Sequence, residues 1–223
     1  MTDPKVTIAI EAALNAFSKY GNFEATAFTE VFNEIFATDD VFLIKIEKMD
    51  EVFDDYPELD ALREVFFDLL LINFFSADVK KLEEDYLDSP EWEEIEEQTL
   101  DRGTELLNLL LYLNECDDEE IEPALDDYLK EFLLVDEDEF QDEYRIYEPV
   151  IANQILMESP VDEIRKVATE LPEDSELKEL FYPMMCFFQN INPSADEKST
   201  IAAKAINKDF DMAVLEILTC FAA

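Results

Sequence analysis

Fifty-seven carboxylates against 16 lysines and arginines give this 223-residue chain a formal net charge of −41. Any fold it adopts must spread that charge over its surface. Like charges one helical turn apart repel by roughly 0.2–0.5 kcal/mol per pair. The apolar half of the composition supplies the opposing force. Hydrophobic residues make up 48% of the chain and include 18 Phe, enough for a core that a disordered acidic tail lacks. The length suits a single domain spanning 1–223. A soluble domain stays dispersed at a net charge of magnitude about 2–8. Solubility alone therefore does not call for so large an excess.

Composition removes several function classes. Two glycines leave no glycine-rich phosphate loop. The absence of histidine removes Ser-His and Cys-His couples, His-liganded zinc and imidazole acid–base chemistry. The phosphates of free nucleic acid and of anionic membranes would be repelled by this surface. The start, Met1-Thr2-Asp3-Pro4-Lys5, lacks the basic and apolar regions of a secretory signal. The densest apolar run, Val65 to Phe75, is interrupted by Asp68 and Asn73 and falls short of the ~20 residues that span a bilayer. Cys116, Cys186 and Cys220 are odd in number and far apart. They are expected as free thiols in a reducing cytoplasm, and no cofactor is expected.

The pattern is helical throughout. Ser89-Pro90-Glu91 and Ser159-Pro160-Val161-Asp162 combine an N-cap serine with proline in the first turn, and Asp55-Tyr56-Pro57-Glu58 carries a similar proline. Tyr20-Gly21 marks a helix end. No Asn-Gly or Asp-Gly hairpin occurs. The periodicity predicts helices over 4–20, 24–37, 39–54, 57–75, 78–87, 90–115, 118–134, 138–157, 160–171, 174–190, 195–207 and 209–221. Leu59 to Phe75 is apolar nearly all round and is expected at the centre. Trp92, Ile95, Thr99, Gly103, Leu106, Leu110 and Leu113 step by three or four, as one continuous seam with Gly103 at a close approach. Pro149 should kink or split its helix. The expected class is all-α, either a compact bundle or an irregular α-solenoid of about ten to twelve helices, without a fixed repeat.

The charge is uneven. Residues 50–149 hold 36 of the acids and 6 of the bases. A fixed array of carboxylates on helices resembles a duplex phosphate ladder, which carries one charge per ~1.7 Å of axis. A compact chain of this length is about 45 Å across, matching some 26 phosphates. The expected function is thus a non-catalytic acidic binding protein that masks a basic surface. A DNA-mimic inhibitor or an immunity-type protein would act in this way. The partner would be a basic DNA- or RNA-binding protein or a nuclease. The alternative is a helical scaffold or adaptor whose acidic surface only solubilises. The expected interface residues are Asp117, Asp118, Glu119, Glu122, Asp126, Asp127, Glu131, Asp136, Asp138, Glu139, Asp142 and Glu143, with Glu93, Glu94 and Glu97 as a second patch.

Other chemistry fits less well. Asp136, Asp138, Phe140 and Asp142 occupy calcium-loop positions, but Gln141 stands where glycine belongs and Tyr147 where the bidentate glutamate belongs. Carboxylate pairs occur at every spacing among so many acids, so spacing points to no catalytic dyad. The acids after Cys116 should raise its pKa and quiet it. The nearly neutral stretch 209–223 is expected as a terminal helix docked on the core, or as a homodimer seam.

Overall fold

The apolar stretch expected at the centre does occupy it. In a computed structural model, ten residues between Val65 and Phe75 are buried on one helix. The structure describes residues 2–76, 79–132, 134–136, 139–140 and 146–223. The α-helices are α1 (Pro4–Tyr20), α2 (Thr29–Ala37), α3 (Phe42–Asp55), α4 (Arg63–Ser76), α5 (Glu84–Leu87), α6 (Pro90–Thr99), α7 (Leu106–Asp118), α8 (Leu125–Asp127), α9 (Glu148–Ala152), α10 (Val161–Glu170), α11 (Phe181–Gln189), α12 (Ala195–Lys204) and α13 (Lys208–Phe221). Short 3-10 turns lie at Ala25–Phe28, Pro57–Leu62, Val79–Leu82 and Gln154–Glu158, and a π turn at Tyr128–Phe132. Two short strands, β1 (Leu134–Asp136) and β2 (Glu139–Phe140), pair as an antiparallel ribbon on an otherwise helical chain.

The architecture is an all-α compact bundle, not a solenoid. The first and last helices, α1 and α13, form the most extensive helix pair, so the chain closes on itself. The buried residues form one cluster. Nine residues of α13 are buried, packed chiefly against α1 and α11, so the apolar face offered as a homodimer seam is spent inside the chain. Among the described residues no helix is long and apolar enough to cross a membrane.

The expected helices over 24–37, 57–75 and 78–87 each begin with a 3-10 turn, and 174–190 becomes α-helical only at Phe181. Three others are broken, each for a physical reason. The seam over 90–115 divides into α6 and α7. Gly103 lies between them with φ 85°, a conformation that glycine adopts without strain. A Cβ there would meet Asp68 Oδ1 at 2.8 Å, so the close approach expected at Gly103 is real but belongs to a turn. The 118–134 helix does not begin at 118, because α7 ends there and Pro123 blocks a restart. Only α8 and the π turn remain of it. Within the expected 138–157 helix, residues 138 and 141–145 lie outside the described residues, and the rest hold β2, α9 with Pro149 in its first turn, and a 3-10 turn. Ser89 caps α6 as expected, accepting from the Trp92 amide. Ser159 does not cap α10; its hydroxyl donates to the Ile155 carbonyl. Gly21 ends α1 in extended backbone, and its reason is space: a Cβ would meet the Phe17 carbonyl at 2.8 Å.

Two buried carboxylates organise the turns. Asp211 accepts from the amides of Ile206 at 2.7 Å and Asn207 at 3.1 Å, closing the entry to α13. Asp68, inside α4, accepts from the Thr104 amide at 3.1 Å and the Thr104 hydroxyl at 2.6 Å. Burial pushes Asp68 up to about 8, against those hydrogen bonds and with help from the nearby charges of Glu64 and Glu105. The folded chain therefore holds a proton on Asp68 that the unfolded chain releases near pH 4. Stability from this group falls as pH rises from about 4 to about 8. Asp68→Asn keeps the shape and both hydrogen bonds without the charge. Thermal melts from pH 5 to pH 9 should give the variant a flatter profile than the parent and a higher Tm at pH 8 and above.

Candidate acidic interface

Hydrogen bonds fix the direction of the central helices. Glu64, at the start of α4, accepts from the Gly103 amide at 2.7 Å, and Gly103 just precedes α7. Near the other end of α4, Asn73 Oδ1 accepts from the Asp3 amide at 2.8 Å. Two residues on, Lys5 Nζ reaches Asp117 at the end of α7 (2.9 Å) and the Phe221 carbonyl at the end of α13 (3.3 Å). So α4 and α7 run parallel, and α4, α7 and α13 finish at one end of the bundle, where α1 begins. The Trp92 ring packs 5.3 Å from Phe75, so α6 starts at that same end and runs back along α4.

This end collects negative charge twice over. Helix C-termini carry a partial negative charge of their own, and the end of α7 adds Asp117, Asp118, Glu119 and Glu120, all exposed. The helix stops in a tight reversal: the Ile121 amide donates to the Cys116 carbonyl (2.9 Å) and the Glu120 amide to the Asp117 carbonyl (3.1 Å). This pattern places the residue after the cap in the left-handed region, where glycine is usual. Here it is Glu120, with φ 57°. Tyr112 then fixes the returning chain, donating to the Ala124 carbonyl and accepting from its amide.

The structure places the expected interface residues as follows. Asp117, Asp118, Glu119 and Glu122 are exposed around the end of α7. Glu93, Glu94 and Glu97 are exposed on α6, whose first turn lies at the same end of the bundle. Asp126 is exposed on α8 and pairs with Lys130 at 3.0 Å, whereas Asp127 is half-buried. For Glu131, Asp136 and Glu139 the described position is that of the main chain, in the π turn and the ribbon. Asp138, Asp142 and Glu143 lie outside the described residues, as does most of the tested calcium loop. Among the described residues, Asp117 has its ion pair with Lys5, and no ion pair involves Asp118, Glu119, Glu120, Glu122, Glu93 or Glu97. Glu91, Glu96 and Glu120 are also exposed on the same elements.

The titratable groups at the site have structural explanations. Burial first, and then the charges of Glu115, Asp127 and Glu119, push the Cys116 thiol up, against a hydrogen bond with Tyr112 that lowers it. Cys186 and Cys220 are also raised by burial. Among the described residues no three acidic or cysteine side chains converge as a metal-binding group. The surface can therefore offer fixed carboxylate acceptors to Lys and Arg donors. No family model, curated protein or solved structure matches the chain.

Glu120 provides a direct test of the local strain. Glycine costs nothing sterically in this conformation, although it loses more freedom on folding. Glu120→Gly should stabilise the fold by about 1 kcal/mol, or roughly 2–4 °C in Tm for a chain of this size. Glu120→Gln, which keeps the strain, should give a smaller rise. Calorimetric melts of the three proteins side by side check the order.

Proposed function

We propose that this protein is a non-catalytic, cytoplasmic binding protein that masks the basic nucleic-acid-binding surface of a partner protein. The observation that carries this reading is the end of α7. Four successive acids occupy the negative pole of a helix, one of them in a backbone conformation that costs stability. The end of α3 is also acidic, with Asp54 and Asp55 exposed, but among the described residues positive φ outside glycine occurs at Glu120. Asp3, Ser89 and Ser194 each cap a helix N-terminus, where acceptors are favoured.

The α6 row supports the same reading by its charge density. Glu93, Glu94, Glu96 and Glu97 are exposed over an axial rise of about 6 Å. A duplex carries between three and four phosphates over that span. Each carboxylate acts as a phosphate surrogate held on a packed helix, which costs less to order on binding than a flexible tail. Steering by the net charge speeds the encounter with a basic partner.

The test begins with affinity capture of the partner, eluted along a salt gradient. A basic nucleic-acid-binding protein should be released at moderate salt and displaced by duplex DNA. Changing Asp118→Asn, Glu119→Gln, Glu120→Gln and Glu122→Gln together should leave Tm unchanged or raised. The same change should weaken that complex by roughly tenfold or more at about 0.15 M salt. Unchanged affinity would show that the end of α7 is not the interface.

A further inference from the structure

Between α6 and α4 lies a depression of about 660 Å³. Its floor is apolar, built from Phe67 and Leu71 of α4 and the half-buried ring of Trp92. Leu100, at the end of α6, forms its lip and is 82% exposed, the highest value among the large exposed hydrophobic residues. The rim carries Glu93, Glu96 and Glu97. Arg102 also borders the groove, but its guanidinium is bound to Asp50 at 2.9 Å and to Glu64 at 2.9 Å and stacks over Phe67. It does not neutralise the rim.

An exposed leucine beside an aromatic floor favours an apolar anchor, and three carboxylates on one rim favour cations beside it. We infer that this groove docks a basic amphipathic helix of the partner, with its apolar residues against Trp92 and Leu100 and its Lys or Arg residues on Glu93, Glu96 and Glu97. The inference rests on the proposed masking function in that the occupant is basic. It adds a specific seat, because charge alone distinguishes poorly among basic surfaces. A helix is the fitting shape because the groove follows the length of α6, and apolar anchors at helical spacing read along such a groove.

Trp92 is the chain's single tryptophan, so its emission reports on the groove and on the Phe75 and Tyr86 rings it packs against. The probe is a tryptophan-free peptide of about 18 residues, with Leu and Lys at helical spacing. A companion peptide has every Leu replaced by Ser. At about 0.15 M salt the Leu peptide should shift Trp92 emission to the blue, saturably, and bind roughly tenfold tighter than the Ser peptide. Leu100→Ser touches an exposed side chain and should leave Tm unchanged while removing most of that preference. If the two peptides bind alike and Trp92 emission does not move, the groove is refuted while charge-driven binding stands. If Leu100→Ser keeps the full preference, the groove is likewise refuted. If neither peptide binds, the inference and the masking function fall together.

Discussion

The turn from Arg102 to Thr104 holds the middle of this molecule together. Arg102 bonds to Asp50 on α3 and Glu64 on α4, the Gly103 amide bonds to Glu64, and Thr104 bonds to Asp68. Three consecutive residues thus tie the exit of α6 and the entry of α7 to two other helices. Asp50 is shared with Arg63, which also holds Asp54 and Asp60. The register of α7 on α4, and with it the position of the acidic end of α7, is set from this turn.

The same contacts draw on cations that are already scarce in the composition. Six cations serve residues 50–149, and two of them, Arg63 and Arg102, are committed to joining helices. Elsewhere Lys198 pairs with Glu216 and Lys204 with Asp162, again linking different helices. These four cations fix tertiary structure, whereas Lys130 and Lys166 make local pairs with Asp126 and Glu163. The exposed acids of α6 and of the end of α7 are left to repel one another. A domain stable by only about 5–15 kcal/mol can carry such repulsion when its apolar interior is large. The single cluster running from Val6 to Phe221 is that interior.

Local patterns made part of this legible. The all-round apolar character of Leu59–Phe75 correctly located the central helix, and Ser89-Pro90 correctly located the start of α6. The breaks were hidden because their causes are distant in sequence. Gly103 happens to fall at helical spacing, and nothing near it reveals that Asp68, 35 residues earlier in the chain, closes in on it. Ser159-Pro160 copied the appearance of Ser89-Pro90, yet its serine turns back to Ile155. For the interface, composition named the acids but not their neighbours. Leu100 could not be recognised as exposed while 90–115 read as one helix. Glu120 showed no sign of its unusual backbone, because an acidic residue carries none of glycine's signal.

The contrast between helix ends in this chain bears on what the acids are for. At the start of α12 a reciprocal cap between Ser194 and Glu197 satisfies the orphan amides, and acids in that first turn are favoured by the helix dipole. At the start of α6, Glu91 and Glu93 sit equally well. Acidity at those positions also supports the fold. The end of α7 is the reverse case. There each acid opposes the dipole, the neighbouring acids oppose one another, and glycine would suit position 120 better than the glutamate that occupies it. A generic need for surface charge would be met at lower cost on helix faces and N-termini. Under the proposed masking function, a cationic partner bound there would recover in the complex the repulsion carried by the free protein.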